Sequence, residues 1–438
     1  MAVYIFTNDS TPPMPGLGFD REGRLARDSE SFRAALVSGE AWERFCDGLR
    51  SAGRSILRSE DAESDTDLAE GFQYLLGLLT SLVERELYRT DASNPAFLRA
   101  QTDVVKVGMD NPDASLISAP LSDDGVFRIY GVVGAIRMLE FVVSGRGRPT
   151  MHYLDSFEVG PAGELSITLS REPQPGNWIE LPQGAHNVLV RRAVYDWDTE
   201  NVPRLAIERL DADPGTVPQC LRVPTAADIG EQLDALGQLV AENADYWVDM
   251  VHSFRNEGDN VIPAPRPLPG TGMNSSRSSV KGFFDLRPEE ALIVEFTPPE
   301  GFFWSISVGD MWYRTFDFSY HQTSLNGHQV ELDPDGICRV VIAHDDPGIP
   351  NWLDTVGHER GVIVIRWVMV DSRPQPATRV VPFAEIGSAL HPQTRRVEPA
   401  ERSATIGRRR DGVARRLSVP VTTRWSYSTD SVVPSRDR

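Results

Sequence analysis

Four of the eight histidines, His321, His328, His344 and His358, fall between residues 321 and 358, interleaved with Asp317, Asp333, Asp335 and Asp354. Imidazole and carboxylate in one loop system are the groups that proton transfer near neutral pH requires. The same types could ligate a metal, but no pair has a recognised spacing such as His-x-x-x-His, so no metal ligand is assigned. His344, Asp354 and His358 are therefore the candidate catalytic residues. Arg366 would supply a handle for an anion, Asn351 and Trp352 share the loop, and Trp304 and Trp312 would form an apolar wall. A hydrolytic or isomerising reaction would need only these groups and water. The plainer alternative is solvated loop histidines and core aromatics.

The elements that would position these groups occur twice. Pro161-Ala162-Gly163, a strand-like run to Leu169, Asn177-Trp178, and Val188 to Tyr195 with Arg191 inside form the first copy. Pro334-Asp335-Gly336, Ile337 to Ala343, Asn351-Trp352, and Val362 to Val370 with Arg366 inside form the second. The spacing between copies is 173 at the glycine, 174 at the tryptophan and 175 at the arginine, so two one-residue insertions restore register. Repetition favours a structural role for the Asn-Trp pairs and for both arginines, as ion pairs or carbonyl clamps. A buried guanidinium must be paired or reach water. The histidines are concentrated in the second copy, which makes it the better place for a grafted site.

Periodicity predicts a helical N-terminal region over 1–110. Trp42, Phe45, Leu49, Ala52 and Ile56 lie on one helix face, as do Phe72, Leu75, Leu76, Leu79 and Val83 behind an Asp67/Glu70 start signal. A first β repeat follows at 111–210, where Val126 to Tyr130 and Ala135 to Val143 read as a hairpin around Gly131 and Gly134, as do Leu292 to Thr297 and Phe302 to Val308 in the second copy. Residues 211–280 hold a long helix with an unbroken stripe from Ile229 to Phe254, capped by Thr225 and Asp228, then a Pro/Ser linker. The second β repeat spans 281–378. A basic, partly disordered tail covers 379–438, with a helix over Pro399 to Leu417 and mobility over Ser426 to Arg438. The fold class is α+β: a helical region plus two duplicated β-sandwich or jelly-roll-like domains.

A net charge of −19 argues against nucleic acid as a partner. From His391 onward eleven arginines face five acidic residues, so the tail alone is positive. Of 44 basic residues only Lys106 and Lys281 are lysines. Cys46, Cys220 and Cys338 suggest neither a disulfide framework nor a zinc site. The longest uncharged apolar stretch, Gly71 to Val83, suits a buried helix, so no membrane span and a cytoplasmic location are expected. No phosphate loop, dinucleotide fingerprint or nucleophile elbow occurs, and no cofactor is implied.

The run Gln322-Thr323-Ser324-Leu325-Asn326-Gly327-His328-Gln329, then Asp346-Pro347-Gly348-Ile349-Pro350-Asn351-Trp352-Leu353-Asp354-Thr355 and Arg366-Trp367, resembles bacterial proteins carrying the domain of unknown function 1214. Asn111-Pro112-Asp113 with Arg128 to Gly131 is similar to the upstream, 1254-like portion of the same proteins. Asp113-Ala114-Ser115 departs from the more usual Asp-Asn followed by an aromatic. The resemblance implies jelly-roll-like β domains and brings no reaction. Two functions compete. One is binding or conversion of a small, partly apolar molecule in the second β domain. The other is a non-catalytic scaffold whose basic tail docks an acidic partner or a second copy of the chain.

Overall fold

The computed structural model describes residues 29–59, 62–88, 92–99, 102, 105–212, 223–265 and 277–417. Helices α1 (Ser29–Ser38), α2 (Glu40–Arg58) and α3 (Asp65–Tyr88) come first. Ser64 caps α3: its hydroxyl accepts from the Asp67 amide while Asp67 accepts from the Ser64 amide. Asp67 is thus the third helical residue and not the cap. On α2 the face read in the sequence holds, with Phe45, Ala52 and Ile56 buried, whereas on α3 it is rotated. Trp42, Phe72 and Leu76 are exposed, and α3 instead buries Tyr74, Leu75, Leu78 and Leu82. Tyr74, which a purely apolar count passes over, turns this face inward by stacking on Trp312.

The first β unit contains β1 (Leu98–Arg99), β2 (Ala114–Pro120), β3 (Phe127–Val132), β4 (Met138–Ser144), β5 (Thr150–Tyr153), β6 (Glu164–Ser170), β7 (Trp178–Glu180), β8 (Asn187–Ala193) and β9 (Arg204–Arg209). Helix α4 (Ala226–Phe254) leads to the second unit: β10 (Arg277–Asp285), β11 (Glu290–Phe296), β12 (Gly301–Gly309), β13 (Ser324–Asn326), β14 (Cys338–Ala343), β15 (Trp352–Asp354), β16 (Arg360–Val370) and β17 (Ala377–Pro382). The first unit pairs its strands as β1-β2-β8-β4-β5 and β7-β6-β3-β9, the second as β10-β16-β12-β13 and β15-β14-β11-β17. Apart from the extra edge strand β1, the orders coincide element by element. Even the one parallel pairing recurs, β6 with β7 and β14 with β15. Each unit closes its two sheets over an apolar core: Phe127, Ile129, Phe141, Ile167 and Val190 in the first, Leu292, Val294, Ile306, Ile342 and Ile365 in the second.

This topology corrects two readings. The paired runs around Gly131 and around Pro298 are not hairpins, because β3 and β4, and likewise β11 and β12, lie in different sheets. The short connection crosses the sandwich and does not turn back within a sheet. The Ser-rich stretch beginning at Arg277 is not linker but the start of β10, and the sheet continues past 378 through Pro382.

Helix α4 begins with the Thr225/Asp228 capping box and buries Leu236, Val240, Ala244, Trp247, Val251 and Phe254, while Ile229 is half-buried. It packs with α2 and α3 on the outer face of the β10-β16-β12 sheet, against Phe283, Val362 and Val364. Gly48 and Gly237 mark the α2–α4 crossing, where a Cβ on Gly48 would overlap the Gly237 backbone. The two β units meet through Met138 and Ala193 on one side and Phe303 and Val368 on the other. Helix α5 (Ile386–Ala389) follows, and α6 (Pro399–Leu417) spans the range read from sequence. Residues 418–438, and with them the expectation of a mobile Ser426–Arg438, lie outside the described residues.

Candidate functional site

Strand ends and loops of the second unit carry the predicted residues, and each is hydrogen-bonded within the chain. His344 Nδ1 lies 2.8 Å from Thr355 Oγ1 and Nε2 3.2 Å from the Leu286 carbonyl. Asp354 Oδ2 sits 2.7 Å from His321 Nδ1, and its other oxygen accepts from the Val356 amide. His358 points to Glu70 on α3 and stacks on Phe316. Trp312 donates to the Asp67 carbonyl, and Trp304 packs edge-on against Phe296 inside the sandwich. No direct hydrogen bond joins His344, Asp354 and His358; His344 and His358 meet through Thr355, the residue after Asp354. These short polar loops close one end of a sandwich, so each side chain satisfies local backbone or the neighbouring helix.

The Asn-Trp pairs make matching hydrogen bonds in the two copies. Asn351 Nδ2 donates to the Glu331 and Arg339 carbonyls while its Oδ1 accepts from the Glu331 amide. Asn177 makes the same three bonds, to Glu158 and Ser166. Trp352 Nε1 donates to the Ala343 carbonyl, and Trp178 Nε1 to the corresponding Ser170 carbonyl. One amide side chain thus stitches the loop before β6 to that strand in the first unit, and the loop before β14 to that strand in the second.

The repeated arginines converge. Arg191 on β8 and Arg366 on β16 both line one cavity of about 110 Å³ between the two β units, joined there by Arg277 from β10. Its apolar wall includes Met109, Leu116, Met138, Phe303 and Val368. Glu140, opposite Arg191 on β4, bridges two of the three guanidiniums: 2.8 Å from Arg191 Nη1, and 2.9 and 2.7 Å from Arg277. Burial pulls the Glu140 pKa upward, but the charges of Arg277 and Arg191 outweigh it and hold the carboxyl below its usual range. Arg366 differs. Its guanidinium donates to Ser307 Oγ at 2.9 Å and to the Met109 carbonyl at 2.6 Å. Among the described residues no carboxylate pairs with it directly. Asp110, also on the wall, acts from farther off and is itself occupied by Thr315.

Two wall residues hold left-handed backbone, Met109 at φ 49° and Tyr313 at φ 60°, and the Met109 amide donates to the Tyr313 carbonyl. Such conformations cost non-glycine residues energy and concentrate at functional sites. Beside Arg366 on the same sheet face lies Lys281, fully buried, with its pKa brought down to about 7 by burial and then by the Arg366 charge. Sequence reading missed Glu140, Arg277 and Lys281. The first left a legible trace, a lone acid in the run Met138 to Ser144; Arg277 was hidden because Ser-rich flanks read as linker.

A second cavity, about 260 Å³, lies between α6 and the 322–331 loop; of its four arginines, Arg395 pairs with Glu331 and Glu401 and Arg402 with Asp346, while Arg408 donates to Thr405 and Arg409 to Ser324. Arg402, Arg409 and Arg416, seven residues apart on α6, are buried against Gln322, Ser324 and the Pro112 carbonyl. These tail arginines therefore dock onto the chain's own β units and are not presented to a partner.

Residues 286–369 match the family described as Protein of unknown function (DUF1214). They are a DUF1214 domain. The domain covers β11 to β16 and so includes Arg366 but neither Arg277 nor the first copy. Over 81% of this chain and 100% of its own, a crystal structure of an uncharacterised protein from Burkholderia cenocepacia superposes with a TM-score of 0.74 at 29% identity. The VPA0106 protein from Vibrio parahaemolyticus is 12% identical over 70% of this chain and 98% of its own, with a TM-score of 0.38. No curated protein matches the chain. Among the described residues no helix is long and apolar enough to cross a membrane, and no cluster of His, Cys, Asp and Glu could hold a metal.

Proposed function

We propose that the chain binds a small, partly apolar carboxylate in the cavity between its two β units. The supporting observation is Arg366, a half-buried guanidinium on the cavity wall whose direct acceptors are a hydroxyl and a carbonyl. A partly desolvated cation without an adjacent anion costs stability, and a ligand carboxylate would offset that cost with charge-assisted hydrogen bonds. Met109, Met138 and Phe303 would receive the apolar part. A cavity near 110 Å³ is close to the roughly 150 Å³ that holds benzene, and too small for a nucleotide. The site so assigned lies between the copies rather than within the second one.

Calorimetry with acetate, small oxo acids and inorganic phosphate tests this reading. Carboxylates should bind, and Arg366→Met should weaken them roughly 10- to 100-fold, the value of a hydrogen bond to a charged group. Unchanged affinity in a folded Arg366→Met variant would remove the cavity from consideration. The Arg191–Glu140–Arg277 bridge also supports a scaffold role for this interface, and carboxylates failing to bind at all would leave that role standing.

A further inference from the structure

The cavity under α6 is lined by two arginines, Arg408 and Arg409, that have no carboxylate partner among the described residues. Arg409 is 4% exposed; it donates to the Ser324 hydroxyl and carbonyl and stacks on Trp197. Arg416 covers the same ring, 4.0 Å from its centre, so two cations share one indole. Asp113 and Asp317 act on the Arg409 charge without a hydrogen bond to it. Asp113 accepts instead from Trp197 and Asn326, and Asp317 from the Ser319 and Tyr320 amides. Arg409 Nε is buried and has no hydrogen-bond partner among the described residues. An unpaired buried donor on a cation costs stability, and an anionic acceptor in the cavity would remove that cost.

The other donors on the wall are also uncommitted to acids. Arg408 is exposed and donates to Thr405 Oγ1, one turn back on the same helix. His328 faces α6 from the 322–331 loop, its Nε2 3.7 Å from Asp196, too long for a hydrogen bond. Gln329 spends its side-chain oxygen on the Asn326 amide, and its NH₂ group has no acceptor among the described residues. Guanidinium, imidazole and amide donors together suit an oxyanion with several oxygens. The acids on the wall differ in availability. Glu331 and Glu401 are held by Arg395, whereas Asp196 accepts only from Thr199 and the Asp198 amide, and Asp198 is exposed. These two carboxylates would repel a bare anion but accept from the hydroxyls of a ligand. A cavity of roughly 150 Å³ holds benzene, so about 260 Å³ gives room for a phosphate on a short polyol.

We propose that this cavity binds a small polyol phosphate, its phosphate on Arg409, Arg408 and His328 and its hydroxyls toward Asp196 and Asp198. It shares no lining residue with the cavity between the β units, so the two sites stand or fall separately.

Calorimetry on the full chain with glycerol 3-phosphate, inorganic phosphate and glycerol tests this. The ester should bind more tightly than inorganic phosphate, and glycerol should not bind. Arg408→Ala removes an exposed donor and leaves the core intact. It should weaken the ester roughly 10- to 100-fold, the value of a hydrogen bond to a charged group. Hydrogen exchange in the unaltered protein locates the ligand, with protection expected over α6 and residues 322–331. Absence of binding, or inorganic phosphate binding as tightly as the ester, overturns the proposal. So does an ester affinity indifferent to Arg408→Ala, or protection confined to β8, β10 and β16.

Discussion

Arg191 and Arg366 occupy the same register in equivalent strands and keep different electrostatic company. Opposite Arg191 on β4 stands Glu140; opposite Arg366 on the equivalent β12 stands Ser305. The first guanidinium is therefore neutralised within its own unit, and the same carboxylate reaches across to Arg277 of the other. The second is left with neutral acceptors. Duplication preserved the cation in both places but its direct counter-ion in only one, which turns a structural position into a candidate anchor. Symmetry argued for two structural arginines. The departure from symmetry at Ser305 is what points to ligand.

The largest effect should come from removing the shared carboxylate. Glu140→Gln leaves two buried guanidiniums without their anion and should cost about 3–5 kcal/mol, as for other broken buried pairs. Ser305→Ala, at the equivalent site, should stay within about 0.5 kcal/mol, since no hydrogen bond of its hydroxyl is found among the described residues. Denaturant melts of both variants check this, and equal losses would erase the distinction. Next, Ser305→Glu transplants the first copy's chemistry into the second. An internal carboxylate beside Arg366 should compete with ligand and reduce carboxylate affinity about 10- to 100-fold, at 1.4 kcal/mol per tenfold. Retained binding would show that the ligand, if any, is held elsewhere.

Smaller effects should follow burial where the hydrogen bonds are identical. Asn351 is 5% exposed, whereas Asn177 is half-buried. Asn351→Ala should cost about 2–3 kcal/mol because its backbone partners lose their bonds out of reach of water, and Asn177→Ala about 1 kcal/mol because water can replace the amide. Thermal denaturation of the two variants gives the comparison. A larger loss at Asn177 would mean that solvent access does not set the cost.

What could be read from sequence divides along the range of the interactions. Helix α4, its capping box and the span of α6 were legible because spacing and capping are local. The duplication was legible because turn residues and Asn-Trp recur at matched offsets. Strand partners were not: the runs either side of Gly131 and Gly134 look like a hairpin whether they pair with each other or with strands far along the chain. The site was half legible. Arg191 and Arg366 stood out as charges in apolar strands, but nothing local tells that both face the same cavity or that Arg277 joins them. His344, Asp354 and His358 were drawn together by proximity in sequence, and the fold bonds none of them directly to another: Asp354 meets His321, His358 meets Glu70, and His344 and His358 both meet Thr355.

His358 gives the smallest and most specific effect, and it has no titratable counterpart in the first copy, where Gly184 falls at the corresponding offset of 174. Its Nε2 lies 2.8 Å from Glu70 Oε1 and its Nδ1 3.0 Å from the Thr355 carbonyl. Both neighbours are acceptors, so only the imidazolium can satisfy both. Burial lowers the His358 pKa, but the Glu70 hydrogen bond and charge reverse this and leave it above the ordinary value. A raised folded-state pKa stabilises the fold fully below the unfolded value of about 6.5, and that contribution is lost as pH rises through the folded value. Lys281 acts oppositely, since its pKa near 7 is below the unfolded value of about 10.4 and stability is gained between them. The two signs are separated by comparing the unaltered protein with Glu70→Gln across pH 5.5 to 8.5, about the window in which histidine titrates. The stability difference between them should be greatest at the acid end and shrink as pH rises. A difference independent of pH would mean that His358 is neutral throughout, and that Arg360, paired with Glu63 and Asp67, and the Trp312 bond to Asp67 make the polar link between α3 and the second β unit.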